Sequence, residues 1–401
     1  MRSVEEHRQV VADLITARPP VTLPVADTLG LVLADDVVAP LSLPGFDNSA
    51  MDGYAVLVDD IATATEQTPV RLPVTEDIPA GRTDMLTITA GTAQRIMTGA
   101  PLPSGATGVV PVEATDGGID TVTIRASVRP GQHIRRAGED VTAGSTVLRA
   151  GQVVTPAVLG LAAALGLPEL TVIPRQRVLV LSTGTELVAP GTPLQPGQIY
   201  ESNAVMLAAA VRDAGGEVVA SPVTGDDVDA FRETLGMHSG PDGSVDLVVT
   251  TGGVSAGAYE VVKDALSGTV EFVKVAMQPG MPQGAGVLDD DANTAIITLP
   301  GNPVSALVSF EVFIRPALRA AMGLPNPDRP RRTAVLAEDL TSPRGKRQFR
   351  RGVLTEDTVT SYGPPASHHL RWLASANCLL ELDEDTAEVA AGQRVQVWDL
   401  R

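Results

Sequence analysis

The spacing of apolar residues divides the chain into segments of different texture. Over residues 4–17, Val4, Val10, Val11, Leu14 and Ile15 fall on one rough stripe, which predicts a first helix. Residues 21–45 mix strand-like runs with turns. From about 46 to 147, short β-like runs (LTIT, GVVPVE, TVTIRASV) alternate with Gly, Pro and Asp turns, which predicts a small β-rich domain. Residues 148–173 bring back a glycine-bounded helix and a strand. From 175 to 323 the pattern alternates strand and helix. Strands are expected near 177–182, 217–223, 246–251, 271–277 and 295–299, and helices near 203–214, 227–236, 258–266 and 303–322. Gly215-Gly216 should stop the 203–214 helix. Asn302 can cap the last helix, Pro303 suits its first position, and Pro316 should kink or break it. This alternation predicts a mostly parallel sheet with helices on both faces. The Pro-rich stretch 323–333 reads as a linker, followed by the short strands of a C-terminal β domain.

Three of the predicted strands run into glycine-rich loops: RVLVLSTGTEL (177–187), DLVVTTGGVSAG (246–257) and AIITLPGNPVSA (295–306). Ligands of a parallel α/β sheet sit beyond the carboxyl ends of its strands. Loops of this composition let backbone N–H groups approach a phosphate or oxyanion. That makes Ser182, Thr183 and Gly184 candidates from the first loop, Gly252, Gly253 and Ser255 from the second, and Pro300, Asn302, Pro303 and Ser305 from the third. Glu186, Asp226, Asp227 and Glu260 also lie just past strand ends. Singly, each reads as a helix cap or a solvated charge. Together they would repel an anionic ligand unless a hard cation such as Mg²⁺ bridged carboxylates and phosphate.

Elsewhere the local chemistry is less specific. DNSAMDGYA (47–55) reads as a turn, and IMTGAPLPSGATGVVPVE (96–113) as a turn-rich connection with a candidate phosphate or pterin contact at Thr98. Arg135, Arg136, Glu139 and Asp140 form a mixed charge cluster. RGKRQFRR (344–351) is the one dense basic run, either steering an anion or forming a solvated strand face. Adjacent His368 and His369 would point to opposite faces of a strand, and the five histidines show no zinc spacing. No Walker A loop, dinucleotide fingerprint or nucleophile elbow is present.

Composition narrows the class. A chain of 401 residues suggests about two to four domains. Its net charge of −18 disfavours nucleic acid and anionic membranes, and 3% aromatic content disfavours base stacking. An anionic ligand must therefore meet a local concentration of N–H groups, basic side chains or a bound cation. Three of the 30 basic residues are lysine. The single cysteine, Cys378, excludes an intramolecular disulfide and fits a reducing compartment. The apolar run 153–167 has 15 residues, against about 20 for a membrane span, and is expected as a buried helix. The N-terminal stretch has no signal-peptide core, so a soluble cytoplasmic protein is expected.

Six ordered blocks, PGFDNSAMDGYAV, IMTGAPLPSGATGVVPVE, RRAGEDVTAGS, LSTGTELVAPG…GQIYESN, TTGGVSAGAYE and LPGNPVSALVSFEVFIRPAL, resemble the molybdopterin molybdenumtransferase family, the MoeA and gephyrin E-domain group. The resemblance implies a multidomain α/β plus β fold. An N-terminal helix (1–20) packs near a molybdopterin-binding three-layer α/β domain (175–326). A linking domain (21–45 and 147–174), a β-rich domain carrying SAMDGYA (46–146) and a C-terminal β-barrel-like domain (327–401) complete it. It implies an elongated homodimer, with the active site between the α/β domain of one chain and the SAMDGYA domain of the other.

The implied reaction inserts molybdate into adenylylated molybdopterin and releases AMP and molybdenum cofactor, with Mg²⁺. Family roles fall on Glu186, Asp226 and Glu260 as cation or substrate contacts, and on Asp52 and Thr98 from the partner chain. They also fall on Asp140, on Pro300, Asn302, Pro303 and Ser305, and on Lys346 or Arg347 with Ser367. Two departures stand out. QPGMP replaces the family's K-P-G-K-P, putting Gln278 and Met281 where lysines sit, and GAYE replaces Gly-Asp-Tyr-Asp, putting Ala258 at an acidic position. One lost charge-assisted contact costs roughly 1.5–3 kcal/mol, so weaker oxyanion binding is expected. The alternative is a gephyrin-like scaffold, with reduced or lost catalysis. It would bind a short peptide of a membrane receptor or cell-division protein beside the C-terminal domain.

Overall fold

The computed structural model describes residues 1–238, 245–253, 261–288 and 293–401. They fall into two units, Met1–Thr22, Gly30–Ala34 and Thr171–Arg401 in one, Leu23–Leu29 and Asp35–Leu170 in the other. Helix α1 (Val4–Leu14) begins with a reciprocal cap: the Ser3 hydroxyl accepts from the Glu6 N–H at 3.1 Å, and the Glu6 carboxylate accepts from the Ser3 N–H at 2.8 Å. It ends before the expected residue 17, because Ile15 is extended and Pro19-Pro20 follow closely.

The unit holding Asp35–Leu170 is built on five strands, β1 (Gly53–Val56), β2 (Val70–Ile78), β3 (Ala93–Ile96), β4 (Gly108–Pro111) and β5 (Thr121–Ile124), in the order β4-β1-β3-β2-β5. β2 and β3 are parallel and the other pairs antiparallel. The DNSAMDGYA segment is not simply a turn: Asn48–Ser49 pairs with Ile134–Arg135, and the segment runs into β1, where Tyr54 is fully buried. Helix α2 (Pro156–Ala164) is capped by Thr155. The expected burial of this apolar helix does not hold. Only Ala162 is buried, while Pro156, Ala157, Gly160, Ala163 and Ala164 are exposed.

In the other unit, β6 (Arg177–Thr183), β8 (Leu247–Thr251) and β11 (Ala295–Leu299) lie side by side and parallel. Each is a nearly continuous apolar run buried on both faces. Parallel β7 (Glu217–Ala220) flanks β6 on one edge. On the other edge β10 (Pro282–Val287) and β9 (Val270–Lys274) add antiparallel, giving the order β7-β6-β8-β11-β10-β9. Strand β10 has no counterpart in the expected element list, and the strand expected over 271–277 ends at Lys274. Helix α3 (Asn203–Asp213) joins α1 on the sheet face of Val178, Val180 and Val249, while α4 (Val228–His238) and α5 (Val261–Ala265) cover the face of Leu179, Leu181 and Val248.

The expected 303–322 helix is three pieces: α6 (Pro303–Ser309), a π-helical turn over Phe310–Ile314, and α7 (Arg315–Ala321). Widening the turn before Pro316 accommodates a residue that has no N–H to donate, so the helix is interrupted, where a kink or break was expected, yet continues past it. Five strands then close on themselves: β12 (Arg331–Leu336), β13 (Arg347–Thr355), β14 (Thr358–Ser361), β15 (Cys378–Leu382) and β16 (Arg394–Asp399), paired in the ring β13-β14-β12-β16-β15-β13. Met277–Gln278 adds to β13, tying the loop before β10 to this barrel. No helix among the described residues is long and apolar enough to cross a membrane.

Candidate functional site

Two adjoining cavities open beyond the strand ends of the α/β sheet. The first, about 700 Å³, is lined by the loop Gln278, Pro279, Gly280, Met281 and Pro282, by Pro300, Asn302 and Ser305 at the start of α6, and by Ser367 and His368. Lys263, Lys274 and Lys346 complete its charged lining. No Asp, Glu or Arg lines it among the described residues. Gln283 anchors the loop from below: its side-chain amide donates to the Gly280 carbonyl at 2.6 Å and to the Ser309 hydroxyl at 2.7 Å.

The second cavity, about 690 Å³, has the opposite character. Ser182, Thr183, Gly184, Glu186, Asp226, Gly252, Gly253 and Pro303 line it, with Glu201 and Asn203. It shares Asn302 and His368 with the first. Among the described residues its charged lining, Glu186, Glu201 and Asp226, is all acidic. One Asp226 oxygen accepts from the Thr185 N–H at 3.1 Å and hydroxyl at 2.9 Å, which pins the first loop. Neighbouring Asp227 caps α4 through the Ala230 N–H. Buried Glu201 accepts from the Ser182 hydroxyl at 2.9 Å and the Ala204 N–H at 2.6 Å. Gly252 is required by geometry: φ is +98°, and a Cβ there would lie 2.6 Å from the Thr183 carbonyl oxygen.

The expected cradle of backbone N–H groups is only partly available. The Gly184 N–H donates to the Thr224 carbonyl, the Gly252 N–H to the Leu299 carbonyl and the Thr185 N–H to Asp226. Asn302 occupies the cap position of α6 but makes no side-chain cap bond, and its side chain faces the cavities instead. The Val304 N–H donates to the Ser367 carbonyl at 3.0 Å, joining the α6 start to the turn that carries His368.

The remaining predicted residues lie elsewhere. Arg347 does not share the cavity of Lys346. It pairs with Glu5, Glu381 and Glu384 and lines a separate hollow against α1. The basic run is not a solvated face either: Arg351 is 4% exposed and donates to the carbonyls of Pro364, Ala366 and His369. His368 and His369 sit in a turn rather than on a strand, with ring centroids 4.3 Å apart and edge to face. Asp52 and Thr98 belong to the other unit and are bonded to each other, Asp52 accepting from both the N–H and the hydroxyl of Thr98 at 2.7 Å. Those bonds, the hydroxyl's first, hold the Asp52 carboxyl below its usual range. Asp140 lies in the same unit, its N–H on the Leu43 carbonyl, beside an Arg136–Asp47 ion pair of 2.6 Å. Ser255 and Glu260 lie outside the described residues, as does Ala258. Among the described residues, no group of three or more His, Cys, Asp or Glu is placed to hold a metal ion.

Family models cover most of the chain: the MoeA N-terminal region (domain I and II) matches residues 2–166, a probable molybdopterin binding domain 179–320, and the MoeA C-terminal region (domain IV) 333–400. The chain is 68% identical to molybdopterin molybdenumtransferase 2 of Mycobacterium tuberculosis H37Rv, covering all of both chains. The chain belongs to the MoeA family. Molybdopterin molybdenumtransferase 1 of the same organism is 37% identical over 99% of this chain and 98% of its own. A molybdopterin biosynthesis MoeA protein from Pyrococcus horikoshii has the same multidomain fold, with a TM-score of 0.82 and 28% identity, over 100% of this chain and 99% of that one.

Within this MoeA-family chain, both cavities contain residues that motif reading missed. Lys263, Lys274, Gln283 and His368 carry no local signature, and Glu201 and Asn203 lie in the GQIYESN block without having been singled out. His368 sits between the two cavities because Arg351 gathers three carbonyls of the 364–369 turn. The dense basic run was the available signal for Arg351, and the E of GQIYESN marked Glu201 only once β6 placed Ser182 beside it.

Proposed function

We propose that this protein inserts molybdate into adenylylated molybdopterin, releasing AMP and molybdenum cofactor. The observation that carries the reading is the pair of adjoining cavities with opposite charge. The substrates are anionic, and the cationic cavity offers Lys346 with the Ser305 and Ser367 hydroxyls to an oxyanion. The acidic cavity offers Glu186 and Asp226, which suit Mg²⁺: that ion takes one or two carboxylates, keeps several waters and binds substrate phosphates. Once bound, Mg²⁺ would neutralise the adenylyl phosphate beside these carboxylates. The protein's own groups then hold the reactants together. Thr185 fixes Asp226, Glu201 fixes the Ser182 hydroxyl, and Asn302 and His368 form the shared wall. In the proposed homodimer, Asp52 and Thr98 come from the second protomer, and the exposed apolar side of α2 is a surface suited to pairing.

The scaffold alternative drew on the missing cations at Gln278 and Met281. Three lysines line the cavity that contains both positions, so the loss of charge no longer favours it. Complementation of a strain lacking its molybdenumtransferase, scored by nitrate reductase activity, tests the enzyme reading. Rescue at ordinary molybdate supports it, and rescue only at high molybdate points to weakened oxyanion binding. Failure of a folded protein to rescue at either concentration overturns it.

A further inference from the structure

The chain contains three lysines among 30 basic residues, and all three, Lys263, Lys274 and Lys346, line the same cavity. They arrive from three separate elements, α5, the carboxyl end of β9 and the residue before β13. We propose that Lys274, acting with Lys263 and Lys346, binds the substrate oxyanion from the walls around the uncharged 278–282 loop. This rests on the reaction proposed above.

The register of the strands places the charge. Lys274 is paired with Pro282 across the β9–β10 ladder, and the Val275 N–H donates to the Met281 carbonyl at 2.8 Å. Lys274 is therefore the neighbour, across the hairpin, of the Met281 end of the loop. At the other end, Met277 and Gln278 pair with Arg347 and Gln348, which brings Lys346 to the Gln278 end. The loop carries no cation of its own, yet one end has Lys274 from β9 beside it and the other has Lys346 from the residue before β13. Neither Lys274 nor Lys346 is paired with a carboxylate among the described residues.

The choice of lysine matters. An ammonium is a compact charge on a flexible stem, suited to a tetrahedral oxyanion, whereas a guanidinium is a planar fork suited to bidentate pairing. Of the arginines near Lys346, Arg347 is in ion pairs and Arg351 is bonded to backbone carbonyls. In a chain of net charge −18, a cavity with three ammonium groups and no described carboxylate is a local reversal of sign. It would concentrate an anion that the surface as a whole repels.

The test is calorimetric titration of the full-length protein with sodium molybdate alone, without pterin. Wild type is expected to bind. Lys274→Ala is expected to weaken binding about tenfold or more, with Lys274→Arg recovering part of the loss and Lys263→Ala showing a loss of its own. Lys274 is exposed, so its variants should unfold at the wild-type midpoint; Lys274→Gln is the reserve variant. Molybdate affinity unchanged by substitution at Lys274 would overturn the proposal, as would wild type that binds no molybdate. Lys274-dependent binding in a protein that fails complementation would keep this inference and remove the reaction. Complementation together with Lys274-independent binding would do the reverse.

Discussion

Asp52 is exposed, yet two hydrogen bonds from Thr98 keep its carboxylate ionised and fixed in direction. Such a group is poised for a ligand and holds no core together. Asp52→Ala is expected to abolish cofactor formation in the complementation strain while leaving the denaturant midpoint unchanged; full activity would remove Asp52 from the site. His7 is the opposite case, fully buried against Phe313, with burial, reinforced by Arg2, lowering its pKa from 6.5 to about 4. Above about pH 6.5 both folded and unfolded forms hold a neutral imidazole. Below that the unfolded chain binds the proton first, so stability falls as pH drops towards 4, by about 3 kcal/mol at most. Urea unfolding of wild type and His7→Phe between pH 7 and 4 should show this slope only in wild type. That Glu186 and Asp226 would line one cavity was legible because both lie just past strand ends. Lys263 and Lys274 were not: they share no motif with Lys346, and the three meet only through the fold. Nor could sequence choose between Lys346 and Arg347, since adjacent residues entering a strand point to opposite faces.

At the scale of elements, the three central parallel strands were readable as apolar runs, whereas β10 was hidden by its composition. PQGAGV looks like a turn, but Gly284 and Gly286 are there because neighbouring strands come too close: a Cβ would lie 2.3 Å from the Thr298 hydroxyl and 2.2 Å from the Thr269 carbonyl oxygen respectively. The π-helical turn was equally hidden. It buries Glu311, which Arg329 engages with two hydrogen bonds of 2.9 and 3.0 Å, with Arg315 alongside and Asp213 bridging the two arginines at 2.7 Å each. Removing the central carboxylate leaves the buried Arg315 and part-buried Arg329 guanidinium groups short of a partner. Glu311→Ala should therefore lose about 3–5 kcal/mol in denaturant unfolding, while the exposed Asp213→Ala should lose much less.

For the whole molecule, the fold class followed from alternating elements and ordered motifs. Burial of α2 did not follow, because an apolar run says nothing about which surface will cover it. If that surface is a second copy, Gly160 is the place to test it: a Cβ there meets nothing within 4 Å. Gly160→Glu should leave the fold intact, or stabilise the helix by about 0.5–1 kcal/mol relative to glycine, yet put a charge on the exposed apolar side. Light scattering is expected to show a dimer for wild type and a monomer for the variant; a dimer in both would move the interface elsewhere.

The contrast between the two cavities has a directional consequence. They meet at Asn302 and His368, and one side of that boundary is ringed by ammonium groups, the other by carboxylates. A long molecule with unlike ends therefore feels a gradient along its own length and has one favourable heading. Turned end for end, its bare anionic terminus would face Glu186, Glu201 and Asp226, while any cation it carried would face the lysines. The chain thus sorts orientation by field before any close contact forms, as a keyed slot admits a plug one way round.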